Sequence, residues 1–584
     1  MAEKCFCYCI GGTGARIAEV AAHLCAMNLV NDEREITFII VDKDQNCGGT
    51  AQAKEVIGRI EKISQIEGSN TGACLCKSRL TKPDANPWDF TNALANIAGN
   101  NDGNASLEDA LGQNGTDDGI LFDAFYSKSE QDDPTSEGFY GHPSIGALMF
   151  KYMMKNANGN DIAQPVINWL SRGANTAKVF IIGSVFGGTG AAVFSNLAAH
   201  IRSKARALAN ADSNANDQQQ AENIADKQNQ LIISGVLLLP YFSFSQNRNN
   251  NIIDETEFYA KSKTALKQYG NDPHLIRRRV DSDNSFDTLY ICGQNPLHKV
   301  GEYSIGGESQ KNHFDLVDLV SAYAMVSFFN EDFMRAGTNQ IDAGKIGKIY
   351  EYRLNKNRNE SLQNVESTVL PDSLALNLRK MLLFSAFVLS KVWVPYKLHS
   401  DITGNKSICD DIRMVGYTYD LKELCKGKGA FKKIGAAEGA NRTAIDTAFA
   451  NLGSLYDYCL DYIRFAGDIA HNGKNWANDG DSGYEEKYEL LDKKDFKLIE
   501  DLYIYIKKNN ETGMENQANA ILNIDFAKNG KTIKDIEDDL QMFFSPQIKD
   551  KYKASRISPE NRFGDYINKG KRNGVLLHGF PVGE

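Results

Sequence analysis

Apolar residues in the first half of the chain fall into short unbroken runs, each closed by glycine or acidic residues. Cys5-Phe-Cys-Tyr-Cys-Ile10 leads into Gly11-Gly-Thr-Gly14. From Ala15 to Met27 the apolar positions Ile17, Val20, Ala21 and Leu24 then share one helical face. This predicts a strand, a glycine loop and a helix. A second strand, Ile36 to Val41, ends in Asp42-Lys-Asp44. From about 99 to 137 the chain is polar and rich in Gly, Asn and Asp, which reads as surface loops around a short helix. The opening unit then repeats: strand Lys178 to Gly183, glycine loop Phe186-Gly-Gly-Thr-Gly190, helix Ala191 to about Ala207. A polar connection over 209–229 precedes strands Leu231 to Leu239 and Thr288 to Cys292 and a helix from about Phe314 to Phe329.

Strands alternating with helices at this spacing predict an α/β domain with a Rossmann-like parallel sheet, in which ligands lie beyond the carboxyl ends of the strands. That domain is expected to fill residues 1–330, with insertions at about 101–137 and 209–229. Beyond 345 the glycine-loop rhythm stops. Amphipathic stretches at Leu374–Val394, Thr443–Phe465 and Phe496–Lys507 predict a more helical C-terminal region, 331–584, whose length suggests an added partner-binding role.

Size and composition narrow the classes. A chain of 584 residues is several domains' worth of sequence, and 42% hydrophobic with 24% charged residues is ordinary for a globular protein. No stretch supplies 18 or more uncharged apolar residues, the best being Met381 to Ser390, so no membrane span is expected. The first residues run directly into a strand without a basic segment and cleavage site, which predicts a cytoplasmic location. A net charge of −10 argues against general nucleic-acid binding. Eleven cysteines, many inside apolar runs, read as reduced buried thiols; Cys5, Cys7 and Cys9 share a period of two that Cys74 and Cys76 repeat, but no second pair at zinc-ligand spacing accompanies them, so no metal site is expected.

A glycine loop between strand and helix brings backbone amides against phosphate oxygens, aided by the helix N-terminal charge. Gly11 to Gly14 alone fits a structural turn, and Asp42 after the next strand also fits a Rossmann ribose contact. However, Ile17 stands where the third glycine of that fingerprint belongs. Ser184-Val-Phe-Gly-Gly-Thr-Gly-Ala191 lacks the Lys-Ser/Thr ending of a P-loop, which disfavours a Walker-type ATPase.

The second loop resembles the glycine-rich signature of the tubulin/FtsZ superfamily, with Phe186 in place of the first glycine of the triplet. Other segments resemble that family in order. Gly11, Gly12, Thr13 and Gly14 match its first nucleotide loop, and Val41-Asp42-Lys-Asp-Gln45 its Asn-Thr-Asp-x-Gln turn. Gly141-His142-Pro-Ser-Ile-Gly146 looks like the loop facing the terminal phosphate. Pro240-Tyr-Phe-Ser-Phe244, with Arg248 nearby, resembles the ribose segment. Phe314 and Asp318 open a helix like the family's central one, where an aromatic stacks on guanine, and Asn295 is a further base-contact candidate. The resemblance covers about Lys4 to Ile341. It implies that GTP or GDP, with Mg2+ as an accompanying ion, is held by these residues together with Gly187, Gly188, Thr189 and Gly190.

The resemblance also implies that hydrolysis is completed between molecules, by a loop after the central helix of one subunit placed over its neighbour's phosphate. Asn339, 25 positions beyond Phe314, matches that loop's asparagine, and Asp342 is the nearby acid, displaced by one residue from the family pattern. Glu331 and Asp332 are alternative acids, more readily read as a solvated helix end. The expectation is a slow, assembly-dependent GTPase forming head-to-tail filaments with copies of itself. The alternative is a non-polymerising nucleotide sensor or interaction protein, in a defence or DNA-partitioning setting. A Rossmann oxidoreductase is a weaker reading, since His471 and His578 are isolated.

Overall fold

Burial follows the apolar runs. The computed structural model describes residues 3–30, 34–42, 44, 47–67, 78–81, 108, 117–132, 143–155, 161–173, 175–209, 227–245, 255–277, 284–295, 298–302, 313–336, 338, 340–355, 374, 377–378, 381–382, 385, 413–414, 417–418 and 457–469. Strands β1 (Glu3–Ile10), β2 (Glu35–Val41), β3 (Arg79–Thr81), β4 (Thr176–Ser184), β5 (Leu231–Leu238), β7 (Thr288–Asn295) and β9 (Lys348–Asn355) form a sheet of order β3-β2-β1-β4-β5-β7-β9. The pairings from β2 to β9 are all parallel. Every residue of β4 and β5 is buried, as expected for central strands of a sheet covered on both faces. Short strands β6 (Phe242–Ser245) and β8 (His298–Glu302) pair in parallel apart from this sheet, and β10 (Arg413–Met414) pairs antiparallel with β11 (Tyr417–Thr418).

Helices among the described residues include α1 (Gly11–Ala26), α2 (Gly48–Glu67), α3 (Asp117–Phe125), α4 (Lys128–Gln131), α5 (Pro143–Lys155), α6 (Gln164–Leu170), α7 (Gly188–Ala209), α8 (Glu255–Asn271) and α9 (Leu316–Asn330). On β4, Phe180 packs on Phe328 and Phe329 of α9, whereas Phe194 of α7 stands over Gly183. Positions 180 and 183 point to opposite faces of a strand, so α9 and α7 cover opposite faces of the sheet. The expected parallel α/β sheet with flanking helices is therefore present.

Several features differ from the sequence reading; Pro143 to Gly146, expected in a loop, open α5. The helices after β1 and β4 begin within the glycine segments rather than after them, because those glycines seat the first helical turn on strand backbone. The sheet also gains β9, beyond the point where the glycine-loop rhythm ends. The chain divides into two compact units, one of Met1–Leu24, Val30–Ile57 and Leu80–Asn359, the other of Cys25–Leu29, Gly58–Arg79 and Glu360–Glu584. Within the second unit, residues 457–469 are helical, the Tyr462 hydroxyl donates to the Leu378 carbonyl at 2.7 Å, and Arg59 pairs with Asp461. The predicted helix Phe496–Lys507 lies outside the described residues, as do most of Leu374–Val394 and the first part of Thr443–Phe465. Among the described residues no helix is long and apolar enough to cross a membrane.

Buried charge joins elements distant in sequence. Asp287, just before β7 and fully buried, accepts from Arg202 of α7 at 2.5 Å, from Arg277 at 3.0 Å and from the Ile233 amide at 2.7 Å. Asp161 accepts from the Ala163 amide at 2.9 Å and meets His200 and Lys204 of α7 at 2.7 Å each. Burial alone would raise its pKa, but the hydrogen bonds from His200, Lys204 and the amide hold the carboxyl well below the usual range.

Removing Asp287 strands two buried guanidiniums. Asp287→Ala is expected to lower unfolding free energy by about 3–5 kcal/mol in urea titrations. A group whose folded pKa is depressed contributes stability above its unfolded value, about 3.9 for Asp, and loses it as pH falls below that. The stability difference between the wild type and Asp161→Asn should therefore be full at neutral pH and shrink below about pH 4 in melts across that range.

Candidate nucleotide site at the strand-order reversal

Strand order reverses between β1 and β4, whose carboxyl ends lead into α1 and α7. A crevice at such a reversal is the usual ligand position of a doubly wound sheet. The two glycine segments lie together there: a side chain added at Gly11 would come within 3.6 Å of Thr189 Cβ and 3.9 Å of the Gly190 nitrogen. Gly11 holds φ of +70°, which favours glycine. Gly12, Thr13 and Gly14 complete the first turn of α1, and Gly188, Thr189 and Gly190 form that of α7.

Each helix is seated directly on the sheet. A Cβ on Gly14 would lie 2.7 Å from the Cys9 carbonyl carbon, and one on Gly190 would lie 2.8 Å from the Ser184 carbonyl oxygen. Ser184 also shapes the second loop, its hydroxyl accepting from the Gly187 amide at 3.3 Å. First-turn amides have no partner within their own helix, and neither first turn contains an acidic residue. Two sets of amides and two helix N-terminal partial charges thus converge on one crevice, a cradle suited to an anion.

Asp42, directly after β2, accepts from the Asp44 amide at 3.3 Å and from the Thr50 hydroxyl at 3.4 Å. Cys47 stands between Asp42 and the first loop, its sulfur 3.5 Å from the Cβ position of Gly12; burial, then the Asp42 carboxylate, raise its pKa. Asn295 ends β7 on the same sheet edge. Phe314 is 2% exposed in the segment before α9, and Asp318 is fully buried in the first turn of that helix. There it accepts from the Asp315 amide at 2.9 Å, completing a capping box, and from Arg16. Gln45, Gly141, His142, Arg248 and Asn339 lie outside the described residues.

Asp342 is at the other end of the sheet. Near the start of β4, Lys178 donates to the carbonyls of Phe329 and Glu331 at 3.1 and 2.6 Å, so α9 runs from the crevice edge to the amino-terminal edge of the strands. Its burial lowers the Lys178 pKa to about 8. Beyond α9 the chain folds back, with the Asp342 amide donating to the Phe333 carbonyl at 2.8 Å and a bridge between Met334 and Ile341. The Asp342 carboxylate accepts from the Gly344 amide at 2.9 Å, while Glu331 pairs with Lys345. Glu331 and Asp332 are exposed.

Sequence reading singled out neither Arg16 nor Thr50, and gave Tyr241 and Ser184 no role of their own within the segments it quoted. A charged residue set among apolar helix positions, as Arg16 is, was the available signal for a buried partner. No family model matches the chain, and no curated protein shows significant similarity to it.

The two kinds of glycine separate experimentally. Gly14→Ala forces a methyl into strand backbone and should cost about 1–3 kcal/mol in chemical denaturation. Gly12→Ala makes only an ordinary contact with Cys47 and should stay within about 0.5 kcal/mol of wild type.

Proposed function

We propose that the chain is a divergent protein of tubulin/FtsZ type that binds a guanine nucleotide in this crevice and assembles head to tail into filaments, with slow hydrolysis completed between neighbouring molecules. The observation that carries the reading is the contact between two glycine segments from adjacent strands at the reversal of strand order. A Rossmann dinucleotide site relies on one such loop. Two converging first turns favour a polyphosphate, to whose oxygens the amides of Gly12 to Gly14 and Gly188 to Gly190 would donate. Among the described residues no group of three or more His, Cys, Asp or Glu lies together as a metal site. Mg2+ would then depend chiefly on the phosphates themselves, as this ion commonly does.

The placement of the 333–342 turn supports the assembly half of the reading. It lies at the sheet edge opposite the crevice, joined to it by α9. Stacking one copy on the next along the strand direction brings this turn over the neighbouring crevice, a heterologous contact that propagates without closing. Asp342 would orient the attacking water, acting by position and charge. A cytoplasmic location and a partner for the C-terminal region belong to the same reading.

One observation favours the non-hydrolysing, non-polymerising alternative. The Asp342 carboxylate is already turned onto the Gly344 amide within its own loop. Sedimentation decides between the two. The filament reading expects pelleting in GTP and not in GDP, and a fall in turnover of roughly 10–100-fold in Asp342→Ala with nucleotide affinity kept. A protein monodisperse in GTP at high concentration belongs to the sensor reading, and unchanged turnover removes Asp342 from the mechanism.

A further inference from the structure

Arg16 lies two residues past Gly14, on α1, and makes contacts that the glycine cradle itself does not require. Its Nε donates to Asp318 Oδ2 at 2.8 Å and its Nη2 to Oδ1 at 3.1 Å, a two-pronged ion pair between residues 302 apart in sequence. The same Nη2 donates to the Tyr241 hydroxyl, which lies 3.4 Å from Asp318 Oδ1. The Tyr241 ring in turn packs edge-on against Phe186, with centroids 5.9 Å apart, and Phe186 directly precedes the glycines of the second loop. A continuous path therefore runs from the first loop through Arg16 and Tyr241 to Phe186 and the second loop, fixed at Asp318 to the first turn of α9. Asp318 is fully buried, Tyr241 is 3% exposed and Arg16 9% exposed.

We propose that Arg16, Tyr241 and Asp318 form a positioning cluster that sets the spacing of the two glycine loops, an inference that rests on the nucleotide-binding reading of the crevice. Desolvating an ion pair offsets most of its attraction, and apolar residues of similar size commonly hold a fold as well. The forked geometry instead supplies direction. Arg16 fixes the roll of α1, Tyr241 carries that position to Phe186, and the two sets of amides face one ligand at a defined separation. A misplacement near 1 Å in such an arrangement costs up to about 100-fold in function. In this role Asp318 acts through Arg16 and need not touch the base.

The test compares wild type, the double variant Arg16→Met/Asp318→Asn, and Tyr241→Phe. The double variant removes both charges together, and the asparagine keeps an acceptor for the Asp315 amide. Tyr241→Phe keeps the ring on Phe186 and loses only the hydroxyl. Each protein is melted without nucleotide and titrated calorimetrically with GTP and with ATP. The expected result for the double variant is an unfolding midpoint near wild type, Kd values raised about tenfold or more, and an unchanged GTP-over-ATP preference. Tyr241→Phe should shift affinity in the same direction by less. Wild-type affinity in the double variant, or in Tyr241→Phe should the double variant fail to fold, overturns the positioning role. Collapse of the GTP-over-ATP preference also overturns it, by making Asp318 a base contact. Wild-type protein that binds neither nucleotide instead removes the nucleotide reading of the crevice, and this role with it.

Discussion

The backbone of Cys9 occupies the space that any side chain at position 14 would need, and the backbone of Ser184 does the same at position 190. That close approach of helix to strand is the constraint on which the candidate site depends. It brings the first turns of α1 and α7 down onto the carboxyl ends of β1 and β4. Because those strands are neighbours at the reversal of order, it also brings the two turns into contact. An alanine at either position would force helix and strand backbone apart. The glycines thus have different tasks: Gly14 and Gly190 seat the helices, Gly11 supplies a left-handed backbone, and Gly12 faces the Cys47 sulfur with room for a methyl.

Strands β1, β2, β4, β5 and β7 and helices α1, α7 and α9 were legible because their cause is local. Continuous apolar runs such as Leu231 to Leu238 have no polar face and so become central parallel strands, and the spacing of Ile17, Val20, Ala21 and Leu24 marks the buried face of α1. The repetition of strand, glycines and helix likewise disclosed the crevice. The helix starts were misplaced because glycine is a weak helix former whose local preference is overridden here by tertiary seating. Strand β9 was passed over although Tyr350-Glu-Tyr-Arg-Leu-Asn355 alternates apolar and polar residues, and its place in the sheet depends on pairing with β7, from Thr288↔Lys348 to Asn295↔Asn355.

Buried charge was the least legible feature. Nothing near Arg16 in sequence announces Asp318, and nothing near Arg202 announces Asp287. A lone charge among apolar residues signals that a partner exists, but only the fold brings that partner within reach. Asp318 shows the consequence most clearly. By resemblance it was a base contact, whereas its surroundings are Arg16, Tyr241 and the capping box of α9. The two ends of α9 then acquire distinct meanings, one tied to the glycine cradle and the other carrying the exposed turn that ends at Asp342.

The most direct measurement is of what the purified protein retains. Protein isolated under mild conditions is denatured, and the released small molecules are separated by chromatography. A stoichiometric guanine nucleotide is predicted. Release of a nicotinamide dinucleotide, or of no nucleotide with none taken up on later incubation with GTP, would contradict the central claim and leave the paired glycine turns as a device for packing helices on a sheet.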